Sequence, residues 1–274
     1  MTQPDSTPTL LVDARWLEQH RGDSNVILID TRPAKEYWEG HLAGARHFDP
    51  FPFHHKDTSD RGMEEFHGQL EWIFSALGIT GRETVVFYEN DSGMRAARGL
   101  WALQYAGHRN ALMLDGGLKA ASAKLTTDAE KFARTNFRIE PNPAVFASYA
   151  HIVDRIGSPD VQIFDVRSAG EYFSERIRAR HGGAIPLAIH QDWTSAQSTE
   201  GHFKTPAELR ANFESLGLDS GCEIIPYCQG GYRAAHAYVA LKLAGYRNVR
   251  NYLGSWAEWG NRDDLPIEHP RRKP

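Results

Sequence analysis

Ile224-Ile225-Pro226-Tyr227-Cys228-Gln229-Gly230-Gly231-Tyr232-Arg233-Ala234-Ala235-His236 puts a cysteine at the junction of two kinds of secondary structure. The apolar run before it, with its β-branched pair, reads as a strand. The alanine-rich run from Ala234 to Leu243 reads as a helix. A cysteine placed there meets the free N–H groups and positive dipole end of the helix, which favour a thiolate over a thiol. Gly230-Gly231 lets the connecting loop take positive φ and turn several amides inward, a nest able to hold an anion. Most free cysteines are small buried apolar residues. Such a residue would need neither two glycines nor an arginine directly after it, so Cys228 is read as a nucleophile.

The same alternation of strand and helix runs through the whole chain. A short strand and helix are expected within residues 8–20. Val26-Ile27-Leu28-Ile29-Asp30 is a continuous apolar run of the kind found in parallel strands covered on both faces. Residues 51–69, with His54, His55 and His67, read as an irregular loop, since their spacing matches no metal-ligand pattern. A helix is expected over Gln69–Leu77 with Gly78 as its C-cap. A strand over Thr84–Tyr88, a helix over Met94–Gln104 and a strand over Ala111–Leu114 follow. That rhythm indicates βαβ units.

The order then recurs. Asp30-Thr31-Arg32 is echoed by Asp165-Val166-Arg167, and Glu36-Tyr37 by Glu171-Tyr172. Arg95-Ala96-Ala97 and Arg233-Ala234-Ala235 lie 138 positions apart, as do Ala106-Gly107 and Ala244-Gly245, and Gly116 and Gly254. A fixed offset over that span predicts two copies of one α/β domain in tandem. The first is expected over residues 8–122, the second over 143–274, with a surface connector over 123–142. The copies differ where chemistry is expected. Against Tyr227-Cys228 the first copy has Tyr88-Glu89, in a loop one residue longer. A carboxylate cannot do thiolate chemistry, so the first copy is expected to be silent and to wall a cleft between the domains.

The 274 residues carry a formal net charge of −4, and no polybasic block suggests nucleic acid or a membrane surface. Arg271-Arg272-Lys273 is basic but short, and is expected to fray. Two cysteines, Cys222 and Cys228, make no disulfide framework. With neither a signal-peptide pattern nor an apolar stretch of spanning length, the expectation is a cytoplasmic protein in a reducing compartment.

These residues resemble the tandem-domain rhodaneses, the thiosulfate and 3-mercaptopyruvate sulfurtransferases. The Asp-x-Arg strand ends, the turn Gly40-His41-Leu42-Ala43-Gly44-Ala45, the loop from Cys228 to Arg233 and the tail Gly254-Ser255-Trp256-Ala257-Glu258-Trp259-Gly260 carry the likeness. It implies two rhodanese-like domains, each a parallel five-stranded sheet flanked by helices. It also implies ping-pong sulfur transfer: Cys228 takes a sulfane sulfur from a small anionic donor as a persulfide and passes it to cyanide or a thiol. The chemistry needs a soft nucleophile and neither metal nor cofactor. The donor is expected to be held by Gln229, Gly230, Gly231, Tyr232 and Arg233. Arg167 is either a further anion contact or the partner of a carboxylate such as Asp165. Trp193 either lines the pocket or packs in the core, and Trp256 and Trp259 are core or pocket-wall residues.

The second copy's turn reads Gly183-Ala184-Ile185-Pro186-Leu187-Ala188, with Ala184 and Leu187 where the family has histidine and glycine. Gln229-Gly230-Gly231-Tyr232 is closer to the bacterial thiosulfate enzymes, with 3-mercaptopyruvate the alternative donor. Cys222 is taken as structural, or else as a thiol that resolves the persulfide. A phosphatase or arsenate reductase of the same fold would hold five residues between cysteine and arginine; here there are four. A persulfide carrier that serves a protein partner remains the rival of a different class.

Overall fold

The computed structural model describes residues 10–272. The expected domain start at residue 8, and Lys273 of the basic tail, lie outside the described residues. In the first domain five parallel strands form one sheet, in the order Leu11–Val12, Ala111–Leu114, Thr84–Tyr88, Val26–Asp30, Arg46–His47. Side chains alternate across it. Ile27, Ile29, Val85 and Phe87 face the core shared with the second domain. Leu28, Val86 and Tyr88 face a smaller core on the outer side. Burial on both faces explains the unbroken apolar runs.

The second domain repeats this order in two pieces. Ile189–His190, Val161–Asp165 and Glu223–Tyr227 form a three-stranded parallel sheet, and Asn251–Tyr252 pairs with Phe146–Ala147. A single bridge, Ile224 to Val249, joins the pieces. The five parallel strands expected of the second copy are all present in the same order, but the join between the pieces is thin, and Pro226 supplies the reason. Ile224 N–H donates to Asn248 O at 2.9 Å, and Arg250 N–H returns to Ile224 O at 3.0 Å. The next donor due from this strand is residue 226, a proline without an N–H.

The helix expected from Gln69 starts earlier, at Asp60, and runs to Ala76. Ser59 caps it through Gly62 N–H at 3.2 Å, and Met63, Phe66, Leu70, Ile73 and Phe74 form its buried stripe. His55 and His67 are spent locally, on Asp57 O and Tyr105 Oη. Residues 125–126 of the connector pair antiparallel with His41–Leu42. Farther along, Phe137 is buried and Asn142 N–H donates to Tyr105 O. Arg272 of the tail, expected to fray, pairs with Glu175 at 2.7 Å.

The helices Met94–Tyr105 and Tyr232–Leu243, equivalent in the two copies, pack on each other across the domain boundary. One apolar core spans both domains, with Leu100 and Leu103 in the first and Val239 and Leu241 in the second. Polar clasps close its rim. Tyr238 Oη donates to Gln104 Oε1 at 2.8 Å. The buried Glu258 carboxylate accepts from Thr58 N–H at 2.6 Å and Thr58 Oγ1 at 2.7 Å. No helix among the described residues is long and apolar enough to cross a membrane.

Candidate active site

Residues 228–231 make the turn from the Glu223–Tyr227 strand into the Tyr232–Leu243 helix. Gly231 has φ +82°, and a Cβ on it would lie 2.7 Å from Leu253 O, so the position admits only glycine. This conformation aims Gly231 N–H at Cys228 Sγ, 3.2 Å away. The sulfur therefore sits where the helix N-terminus offers an unpaired donor. Cys228 is only 1% exposed, but its sulfur is met by an amide rather than sealed in hydrocarbon.

A second strand end holds the turn from behind. Cys228 N–H donates to Ser255 Oγ at 3.1 Å, and Ser255 Oγ–H to Tyr252 O at 2.9 Å. Trp256 N–H and Ala257 N–H donate to the carbonyls of Cys228 and Gln229. Ser255 does this with φ +51°, a left-handed backbone that costs a non-glycine residue about 1 kcal/mol. Sequence reading missed Ser255; the only sign was its place directly after Gly254.

Arg233 acts electrostatically on Cys228 but shares its charge with a carboxylate. Its Nη1 and Nη2 grip Glu171 at 2.7 and 2.9 Å. Burial alone would push the Glu171 carboxyl up; Arg233, followed by the Ser168 cap, instead brings it down to about 2. Arg233 thus ties the Cys228 loop to the short helix that follows the neighbouring strand. The repeated Glu-Tyr pair was the sequence signal for Glu171.

Other expected contacts go elsewhere. Arg167 is 1% exposed; its Nε donates to both Asp165 oxygens at 3.0 Å and its Nη2 to Gly183 O at 2.7 Å. The first copy builds the same network from Arg32, Asp30 and Gly40. Asp-x-Arg is a fold element, and the reading of Arg167 as an anion contact is corrected. Tyr232 points into the first domain, where its hydroxyl donates to Pro50 O at 2.8 Å; it ties the domains rather than facing an anion. Gln229 donates to Arg178 O at 3.2 Å, while its buried Oε1 has no partner among the described residues. Trp193 packs edge-on against His236, ring centres 4.9 Å apart. Trp256 and Trp259 are buried in the second domain's outer core.

The first domain contributes two groups that sequence reading did not find. His54 comes so close to Gly230 that a Cβ there would lie 2.4 Å from its Cε1. Arg98 lies behind Gly231. Cys222, by contrast, is at the far end of the strand from Cys228. Six residues of extended chain separate them, about 20 Å, against the roughly 7 Å that a disulfide tolerates. The resolving role is therefore excluded, and Cys222 Sγ contacts Pro159 O at 3.6 Å.

At the equivalent turn in the first domain, Glu89 Oε1 accepts from Arg95 N–H at 2.7 Å and Ala96 N–H at 3.1 Å. Burial pushes this carboxyl up to about 7, against the pull of those two amides. A cavity of about 980 Å³ opens at another part of the domain boundary, lined by Gln104, Gly107, Tyr238, Lys242 and Gly245, and none of the Cys228 loop borders it.

The chain matches the model of the rhodanese-like domain twice, over residues 13–124 and 148–262. It is 32% identical to a thiosulfate sulfurtransferase of Azotobacter vinelandii over 94% of this chain and 97% of that one. It is 30% identical to the sulfur carrier protein TtuD of Thermus thermophilus over 95% and 96%. Among solved structures it resembles SseA from Escherichia coli, reported as a 3-mercaptopyruvate sulfotransferase. There the TM-score is 0.76 and identity 27%, over 90% of this chain and 99% of that one.

Proposed function

We propose that this chain, which belongs to the rhodanese family, moves a sulfane sulfur from thiosulfate through a persulfide on Cys228 to cyanide or a thiol. One observation carries the reading: the Gly231 N–H held 3.2 Å from Cys228 Sγ at the head of a helix. That donor, with Arg233 at the sulfur's side, supports an anionic nucleophile before the reaction and an anionic persulfide after it.

The Cys228 thiolate attacks the outer sulfur of thiosulfate. The new S–S bond forms as the old one breaks, and sulfite leaves with the bonding pair. Cyanide or a thiolate then attacks the terminal persulfide sulfur. Thiocyanate or a new persulfide departs and the Cys228 thiolate returns, with no net change in charge at either step. A reducing, cytoplasmic setting suits a thiolate that must stay free between turnovers. The first domain, with Glu89 where the second has Cys228, serves as a silent wall and as a source of loop contacts.

Incubation with thiosulfate should add one sulfur mass to Cys228, and cyanide should remove it. Side-by-side kcat/KM values should favour thiosulfate over 3-mercaptopyruvate; the reverse order would transfer the donor assignment. An adduct with neither donor would end the proposal. The likeness to the sulfur carrier protein TtuD over 95% of this chain favours a second reading, in which a protein thiol is the acceptor. Under it the adduct forms, but small thiols discharge it poorly.

A further inference from the structure

Arg98 lies on the first-domain helix Met94–Tyr105 and is 3% exposed. Aromatic faces surround its guanidinium, with ring centres of Trp101, Tyr232 and Phe66 at 4.7, 5.2 and 5.7 Å. Its Nη1 is buried and has no hydrogen-bond partner among the described residues. The same atom lies 3.2 Å from where a Cβ on Gly231 would stand. Burying a guanidinium without a counter-charge is expensive.

The other cations around the loop are neutralised or solvated. Arg233 is held by Glu171, and Arg95 by Asp49 at 3.4 Å. Lys56 is exposed to water, and partial burial together with the nearby Arg98 lowers the His54 pKa and favours its neutral form. For Arg98 no Asp or Glu among the described residues forms an ion pair; the weakly acidic side chains near its position behind Gly231 are Tyr232, whose ring centre is 5.2 Å away, and Cys228, whose sulfur accepts from Gly231 N–H. Tyr232 spends its proton on Pro50 O, which leaves the sulfur as the available anion.

We propose that Arg98 is a positioning residue lent by the silent domain, the buried counter-charge that favours an anion at Cys228 from beneath the Gly231 turn. The field it supplies favours the thiolate and then the persulfide, and draws anionic donors over neutral ones. This rests on the sulfur-transfer reading. It gives the first domain a part in catalysis even though that domain has no nucleophile of its own.

The test compares the parent with Arg98→Met, Arg98→Gln and Arg98→Lys in the full-length chain, and has three readouts. The first is the ratio of Cys228 alkylation rates by iodoacetate, which is anionic, and iodoacetamide, which is neutral. That ratio should fall about tenfold in the Met and Gln variants, and Lys should restore most of it. The second is melting temperature, which should hold or rise in the charge-free variants because an unpaired buried charge is removed. The third is the thiosulfate mass adduct on the parent, which tests the sulfur-transfer reading separately. An adduct-free parent sinks that reading alone, since alkylation selectivity still reports on Arg98. An unchanged selectivity ratio, or failure of Lys to restore it, would overturn the inference. So would failure of both charge-free variants to fold, because it would make Arg98 a structural group.

Discussion

The two turns at Glu89 and Cys228 are the same device with different occupants. Each follows a central strand, each opens a helix, and each directs backbone N–H groups at the side chain that ends the strand. In the second domain that side chain is a sulfur, met by Gly231 N–H. In the first it is a carboxylate, met by Arg95 and Ala96 N–H. The Glu89 carboxyl occupies its own turn, accepting from both amides, while the second turn presents a sulfur to a single amide. A turn that gathers amides around the residue after the strand is therefore a property of the fold, and under the proposed function the identity of that residue decides whether the turn can carry sulfur.

The largest effect should come from exchanging those occupants. Cys228→Ser should reduce turnover by roughly a thousandfold or more and abolish the thiosulfate mass adduct, with an unchanged melting profile. Glu89→Cys should gain no activity, because that loop is one residue longer and its arginine, Arg95, pairs with Asp49 rather than facing the strand end. A sulfur adduct on the thiol introduced by that substitution would show that the nucleophile alone separates the two copies.

Next in size is the clamp between Arg233 and Glu171. Arg233→Ala should cost about 2 kcal/mol of stability, since it leaves the buried Glu171 carboxylate with only the longer Arg178 contact at 3.4 Å and the Ser168 cap, and should also lower kcat/KM. The pH window has a definite sign. The Glu171 carboxyl is depressed from 4.5 to about 2, so the pair's stabilisation is present above pH 4.5 and lost as pH falls toward 2. Thermal melts of parent and variant should therefore converge in acid. A gap that stays constant down to pH 2 would remove the ion pair as its cause.

The strands that position Cys228 were legible because buried parallel strands leave unbroken apolar runs, as in Val26–Asp30, and because the fixed offset exposed the repeat. The start of the Asp60–Ala76 helix was not. Gly62 and Gly68 interrupt its first turns, and its polar face dominates the sequence, although Met63, Phe66 and Leu70 already hold helical spacing. Pro226 stood in plain view, but its effect depends on which neighbour needs the missing N–H, and only the sheet order reveals that. Arg167 was ambiguous for a related reason. An arginine two residues after an aspartate is equally suited to a pocket or to its own carboxylate, and burial decides. Arg98 and His54 were invisible as site residues because they reach the loop from a different domain, across a boundary that sequence spacing does not encode.

Smaller, and opposite in sign, are the acid–base effects at the boundary between the copies. Glu89 is raised from 4.5 to about 7 by burial, so it stabilises the fold below pH 4.5 and that contribution fades as pH rises through 7. His236 is lowered from 6.5 to about 3, also by burial, with its Nε2–H on Ser92 O. Its contribution is present above pH 6.5 and fades as pH falls toward 3. Glu89→Gln keeps an acceptor for the two amides and removes the titration. Its melting temperature should rise relative to the parent between pH 4.5 and 7 and level off above. Parallel curves would mean that the first turn holds Glu89 ionised throughout, as a closer mimic of a bound anion.

The smallest difference lies in the turns that lead away from the Asp-x-Arg networks. The first copy places Gly44 at φ +81°, where glycine is unstrained; the second places Leu187 at φ +63°, with 68% of its surface exposed. Both turns do the same work, pairing with a returning chain: His41–Leu42 with residues 125–126, and Ala184 with Glu268. Leu187 N–H also donates to Glu268 Oε2 at 2.8 Å, a backbone contact that survives loss of the side chain. Leu187→Gly should thus relieve left-handed strain without breaking the pairing. After the entropy that glycine loses on folding, the gain should be about 0.5–1 kcal/mol, read from denaturant midpoints. A loss instead would mean that the exposed leucine is packed against something in the working protein. The second copy's departure from glycine would then be a feature of its surface rather than a tolerated strain.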